Sequence, residues 1–173
     1  APTVREAARA LIRFEPLYAS NYRGHSSLHE DAQGAWLRFY SISPYNAYNR
    51  FVVDSVLSTW MQQLSSVAQQ PVNANKVCIE FAEPSYAEHY SEIFAAPVEF
   101  SASVNQLHLN LANLALPSPL HCPSTWRHLL EICEQELQQL TRTRSLRERI
   151  TQLLGPILHG HEPDMAEIAT RLQ

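Results

Sequence analysis

Three prolines fall within eight residues in the run Leu116-Pro-Ser-Pro-Leu-His-Cys-Pro123. Each proline removes an amide donor and fixes φ, so no regular element passes through such a run. The chain of 173 residues is therefore read as one folding unit before this point and a different arrangement after it. That length buries roughly 70% of the unfolded surface in a single core, and no disulfide or metal staple is needed.

Upstream of the prolines the apolar period switches between 3.6 and 2. Thr3 and Glu6 stand in capping-box spacing, with Val4, Ala7, Ala8, Leu11 and Ile12 on one face, which predicts a helix from 3 to about 19. The turn-like Asp31-Ala-Gln-Gly34 precedes the strand-forming run Ala35 to Ile42, so 22–42 reads as a hairpin. After Pro44, the residues Phe51, Val52, Val56, Trp60, Leu64 and Val67 recur at three- and four-residue steps, the mark of a core helix ending at Pro71. Val77, Ile79 and Phe81 alternate as a half-buried strand. Pro84 opens a short helix carrying Tyr86, Tyr90, Ile93 and Phe94, and Val98 with Phe100, then Leu107, Leu109 and Leu111, give two more strands. The sum is an α+β unit over 1–117, a mainly antiparallel sheet with flanking helices.

Downstream, Ser124 can cap a helix on which Trp126, Leu130, Cys133, Leu137 and Leu140 repeat at steps of four and three, a heptad-like seam too short for a free coiled coil. Ser145 and Glu148 form a second capping box, followed by Leu146, Ile150, Leu153 and Leu154 on one face until Gly155-Pro156. Residues 124–158 thus read as a helical hairpin or connector that packs on the sheet unit or pairs with a second copy. The chain has no initiating Met and stops in mid-pattern at Gln173, so both ends are read as cut from something longer.

The formal net charge is −4, which argues against the surface as a whole being a nucleic-acid footprint. The three cysteines, Cys78, Cys122 and Cys133, have no metal or disulfide spacing and read as reduced thiols of a cytoplasmic protein. Nothing approaches the ~20 apolar residues of a membrane span. Of eight histidines the closest useful pair is His25 and His29, about 13 Å apart on a strand and too far to share an ion. No metal or cofactor is expected. Phosphate loops, nucleophile elbows and Cys-His signatures are absent from the sequence, so an enzyme is not expected either.

Two stretches carry a family resemblance. Val77-Cys-Ile-Glu-Phe81 is followed by Pro84, Tyr90, Phe94, Pro97-Val-Glu-Phe100, Asn105-Gln-Leu107 and Leu114-x-x-Pro117. This pattern resembles the arabinose-binding-like N-terminal domain of AraC-type transcription regulators, although Glu83 stands where a His is common and Ser118 where a Leu is usual. The second stretch, Glu162 to Leu172, has Asp164 in a capping arrangement with Glu167 and Met165, Ile168, Ala169 and Leu172 on one face. It resembles the opening of the AraC-type helix-turn-helix, of which 164–173 would be the first helix. The resemblance implies an effector-sensing domain over 1–117, itself truncated at its N-terminus, and a cytoplasmic, often dimeric regulator. It further implies a small-molecule effector and promoter DNA bound through a C-terminal domain. The alternative is a stand-alone α+β interaction or oligomerisation module, separated from the regulator by whether a basic amphipathic helix follows within about 20 residues of Gln173.

Within the sensing domain the aromatics Trp36, Tyr40, Trp60, Tyr86, Tyr90 and Phe94 are candidates to line a pocket, with Arg38 as a bidentate donor to a ligand carboxylate. The narrower set is Trp36, Arg38, Tyr40, Trp60 and Tyr90. On general burial statistics the same residues are more simply core aromatics plus a surface arginine. Trp126, Leu130, Cys133, Leu137 and Leu140 are the candidate dimerisation face. Arg142, Arg144, Arg147 and Arg149 are either phosphate contacts or a solvated helix face.

Overall fold

In a computed structural model of the chain, residues 1–19, 24–41, 45–46, 49–143 and 150 are described. The second capping box, the apolar face ending at Leu154 apart from Ile150, and the Met165–Leu172 helix lie outside them. Among the described residues the elements run in the order α1 Val4–Arg13, α2 Glu15–Tyr18, β1 Gly24–Glu30, β2 Gly34–Ser41, α3 Arg50–Ala68, β3 Lys76–Cys78, α4 Glu88–Phe94, β4 Val98–Glu99, β5 Asn105–Asn110, α5 Leu111–Ala115 and α6 Pro123–Thr143.

The first helix is shorter than its apolar pattern. Thr3 caps it through Oγ1, accepting from the Glu6 amide at 3.3 Å, but it stops at Arg13. Pro16 has no N–H to give to the Ile12 carbonyl, so the helix ends at Arg13, Phe14 leaves helical geometry, and the chain restarts as α2 with the proline in its first turn. The expected 3–19 helix is therefore two helices.

The five strands are ordered β1-β2-β5-β3-β4. All pairs are antiparallel except β3 with β4. The hairpin closes as the sequence indicates: Asp31 Oδ1 accepts from the amides of Gln33 (2.7 Å) and Gly34 (3.0 Å). Only glycine fits at 34, where φ is +154° and a Cβ would meet the Leu109 carbonyl at 2.0 Å. Leu111 is not in β5. Asn110 caps a new helix by accepting from Asn113 N at 2.8 Å, and this turns the chain out of the sheet and leaves Leu111 exposed. The last strands are likewise shorter than read: Ile79, Phe81 and Phe100 lie beyond the ends of β3 and β4, although Ile79 and Phe81 are buried.

One face of the sheet, carrying Ala35, Leu37, Phe39, Val77, Leu107 and Leu109, packs with α1, α3, α4 and Leu114 of α5 into a single core. Its fully buried Leu37, Leu57, Leu64, Ile79, Leu107, Leu109 and Leu114 each contribute about 1.5–3 kcal/mol by leaving water. On α3 the buried stripe is Val53, Leu57, Trp60, Met61, Leu64 and Ala68. The expected face is thus rotated: Trp60 and Leu64 belong to it, but Phe51 is 55% exposed, and Val52, Val56 and Val67 lie at its margin. The chain leaves the domain beside its own start, where Val4 N donates to Leu116 O and Ser118 N to Pro2 O, both at 3.0 Å.

Beyond the prolines α6 begins one residue earlier than read, at Pro123, a residue suited to a first turn whose amides need no partner. Ser124 lies inside the helix rather than capping it. The helix packs against α2, and Arg13 forms an ion pair with Glu134 at 2.7 Å.

Candidate functional site

Alternation along β2 sends Ala35, Leu37 and Phe39 into the core and Trp36, Arg38 and Tyr40 to the opposite face. Strand pairing then assembles their neighbours. His29, Trp36, His108 and Lys76 form one cross-strand row, Ser27, Arg38, Gln106 and Cys78 the next, and His25 sits opposite Tyr40. The result is a polar and aromatic face, in contrast to the apolar face beneath the helices.

Direct contacts fix this face. Arg38 Nε donates to Gln106 Oε1 at 2.8 Å, and Gln106 Nε2 reaches Cys78 Sγ at 3.9 Å. The Trp36 and His108 rings lie 4.3 Å apart, tilted by 30°, and Ser27 Oγ is 3.0 Å from His29 Nε2. His108 Nε2 is buried without a hydrogen-bond partner. At the rim Lys76 Nζ holds Glu99 at 2.5 Å. The Asp31 carboxylate is kept below its usual range, first by the Gln33 amide, and Gly34 and Trp36 also donate to it. Burial lowers the pKa of His25 against the opposing pull of Glu15. Burial and the charge of Arg38 lower that of His29.

The five predicted site residues do not come together. Trp36, Arg38 and Tyr40 share the polar face, whereas Trp60 and Tyr90 are 3% and 4% exposed within the core on the other side of the sheet. Tyr90 donates its hydroxyl to Asp54 Oδ1 at 2.9 Å and meets Phe100 edge-on at 5.1 Å. This desolvated setting raises both the Asp54 and the Tyr90 pKa. Phe94 is buried with them, and Tyr86 is exposed. Sequence reasoning missed His25, Ser27, Gln106 and His108 as neighbours of Arg38, because only the register of β1, β2 and β5 brings them there.

A buried joint ties the edge of the sheet to the helices. Glu15, at the head of α2, accepts from Ser26 N at 2.8 Å and from Ser26 Oγ, and lies 3.8 Å from His25 Nδ1. On α6 the predicted seam is the half-buried side of the helix: Trp126, Leu130, Cys133, Leu137 and Leu140 are all intermediate, with Leu129 and Ile132 exposed beside them. Trp126 borders a cavity of about 390 Å³ with Leu11 and Val67. Among the described residues no three potential metal ligands gather, and no helix is long and apolar enough to cross a membrane.

Residues 1–118 match the arabinose-binding domain of AraC transcription regulators, N-terminal, so the chain belongs to this family. It is 24% identical over 141 residues to the ornithine utilization regulator of Pseudomonas aeruginosa, an alignment covering 80% of this chain and 40% of that protein. Its fold is similar to that of the transcriptional regulator CdpR from Pseudomonas aeruginosa, with a TM-score of 0.61 at 14% identity, covering 99% of this chain and 56% of that one. The chain thus spans less than two thirds of either relative. Both are named as regulators, the second of them a transcriptional regulator.

Proposed function

We propose that this chain is the effector-sensing and connecting part of a cytoplasmic AraC-type regulator. A small molecule binds on the polar face of the sheet at Trp36, Arg38 and Tyr40, and promoter DNA is bound by a C-terminal helix-turn-helix beginning at Met165, Ile168, Ala169 and Leu172. The boundaries follow the sequence reading: sensing over 1–117, a connector over 124–158, and the DNA-reading segment from 164. Homodimerisation uses α6 through Trp126, Leu130, Cys133, Leu137 and Leu140. Trp60 and Tyr90 take no part in ligand contact on this reading, since their side chains are consumed by the core. The observation that carries the proposal is the family match over 1–118 together with a half-buried arginine between two aromatic residues on the face opposite the helices.

The test is a thermal-shift screen of small metabolites on the 173-residue chain, because a ligand bound only by the native state raises its apparent stability. The expected hits lose their effect in Trp36→Ala and Arg38→Ala, variants that still fold. In the full-length regulator the same variants abolish effector-dependent promoter binding, a coupling typically of about 1–3 kcal/mol. Hits that survive both substitutions would remove the sensing site from this face.

A further inference from the structure

We propose that the polar sheet face recognises a small organic carboxylate with an apolar body, gripped by the free end of the Arg38 guanidinium, which Gln106 holds in place. The inference rests on the sensing reading above and adds the chemical class of the effector.

Arg38 is half-buried in the middle of the face. Its Nε is committed to a neutral amide oxygen, Gln106 Oε1 at 2.8 Å, and among the described residues no carboxylate pairs with it. Two acids beside this face are already engaged: Glu99 by Lys76 at 2.5 Å, and Asp31 by the hairpin amides. A charge withdrawn from water without a counter-ion is costly, and the usual escape of an arginine is to swing its head into solvent. The tie to Gln106, backed by Cys78, opposes that swing. What remains is a fixed edge with two terminal nitrogens, whose geometry matches the two oxygens of a carboxylate. Trp36 and Tyr40 stand two residues to either side on the same face, each roughly 7 Å from Arg38 along the strand, so an apolar body bound to that carboxylate lies against an aromatic ring. Phosphate suits the site less well. A dianion calls for further positive charge, and the flanking His25 and His29 are both held toward their neutral forms by burial.

The experiment is calorimetric titration of the 173-residue chain with benzoate and hexanoate, each beside its primary amide, and with inorganic phosphate. The acids are expected to bind and the amides to bind at least tenfold more weakly, as losing hydrogen bonds to a charged partner implies. Arg38→Gln should erase the preference for acid over amide, Arg38→Lys should weaken the acid roughly tenfold by losing the fork, and Gln106→Met should weaken it several-fold. Melting curves without ligand establish that these variants fold. Amides binding as well as acids, acid binding that persists in Arg38→Gln, phosphate displacing benzoate, or no acid binding at all would each overturn the inference. If neutral compounds bind instead and depend on Trp36 and Tyr40, the sensing site stands while the carboxylate falls.

Discussion

Replacing Glu15 by alanine tests the buried joint between the sheet edge and the helices. β1 is an edge strand, and the amide and hydroxyl of Ser26, a residue 2% exposed, both find their acceptor in the Glu15 carboxylate. Glu15→Ala leaves two buried donors unpaired, at about 1–3 kcal/mol each. Removing a buried carboxylate also returns its own desolvation cost, so a net loss of about 2–3 kcal/mol is expected. For a domain of this size 1 kcal/mol corresponds to about 2–4 °C, and the melting temperature should fall by about 4–12 °C. Glu15→Gln, which keeps one carbonyl acceptor and can donate to the Ser26 hydroxyl, should lose less than half of that. Because Glu15 is the group that pulls the His25 pKa upward, the alanine variant should also move the His25 titration, followed by NMR, to lower pH. Amide exchange along α6 should quicken, since α2 packs on it. A melting temperature within a degree or so of the parent, with an unmoved His25 titration, would refute the reasoning.

Trp60→Ala should cost about 3–5 kcal/mol by leaving a cavity beneath α3, whereas Trp36→Ala should cost under half of that in a urea melt; equal losses would contradict the division of the two sheet faces. His25 and His29 both have folded-state pKa values lowered from 6.5, chiefly by burial. The unfolded chain therefore takes up protons first on acidification: their contribution is complete above about pH 6.5 and is lost as pH falls through the folded values. The His25→Asn, His29→Asn double variant should flatten the decline in melting temperature between pH 7.5 and 5. Cys122, exposed at the start of α6 with its thiol lowered to about 7, first by Ser124 and then by Thr125, should react with iodoacetamide ahead of buried Cys78, at a rate that falls as pH drops through that value.

How far the sequence can be read depends on what each signal measures. The hairpin was legible because Asp31 and Gly34 create its turn locally. Alternation correctly put Trp36, Arg38 and Tyr40 on one face, but it carries no information about which face α3 will cover. Trp60 and Tyr90 were grouped with them for being aromatic, and only the layering of the fold separates the two sets. On α3 the apolar stripe is misphased because Phe51, exposed in the first turn, and Val52, at the margin of the core, carry the same weight as the later positions. Leu111 reads as strand because the capping role of Asn110, the last residue of β5, needs the turn that it makes. The break at Phe14 is legible in Pro16, but the apolar pattern runs on past it and masks the break. Glu15 and Asn105 left no signal of burial. A single Glu or Asn looks solvated until its partners are known, here Ser26 for Glu15, and Tyr45, Glu80 and the Phe39 carbonyl for Asn105.

Two ties meet at the α1–α2 corner, and their energies are unequal. Arg13 to Glu134 joins the corner to α6, but its partners are 63% and 36% exposed, where an ion pair is worth about 0–1 kcal/mol and is screened by salt. Glu15 to Ser26 joins the same corner to β1 in the dry interior, next to the residue that faces Tyr40. Both of its hydrogen bonds have a charged acceptor, worth about 1.5–3 kcal/mol each, which is the scale that coupling between two sites requires. The sheet edge and α2 are thus held firmly to each other, while among the described residues α6 is held to them by packing and by the weak Arg13–Glu134 pair. Motion of α6 relative to the sheet unit costs least at the α2–α6 contact, and the joint at Glu15 keeps α2 with the sheet when α6 moves.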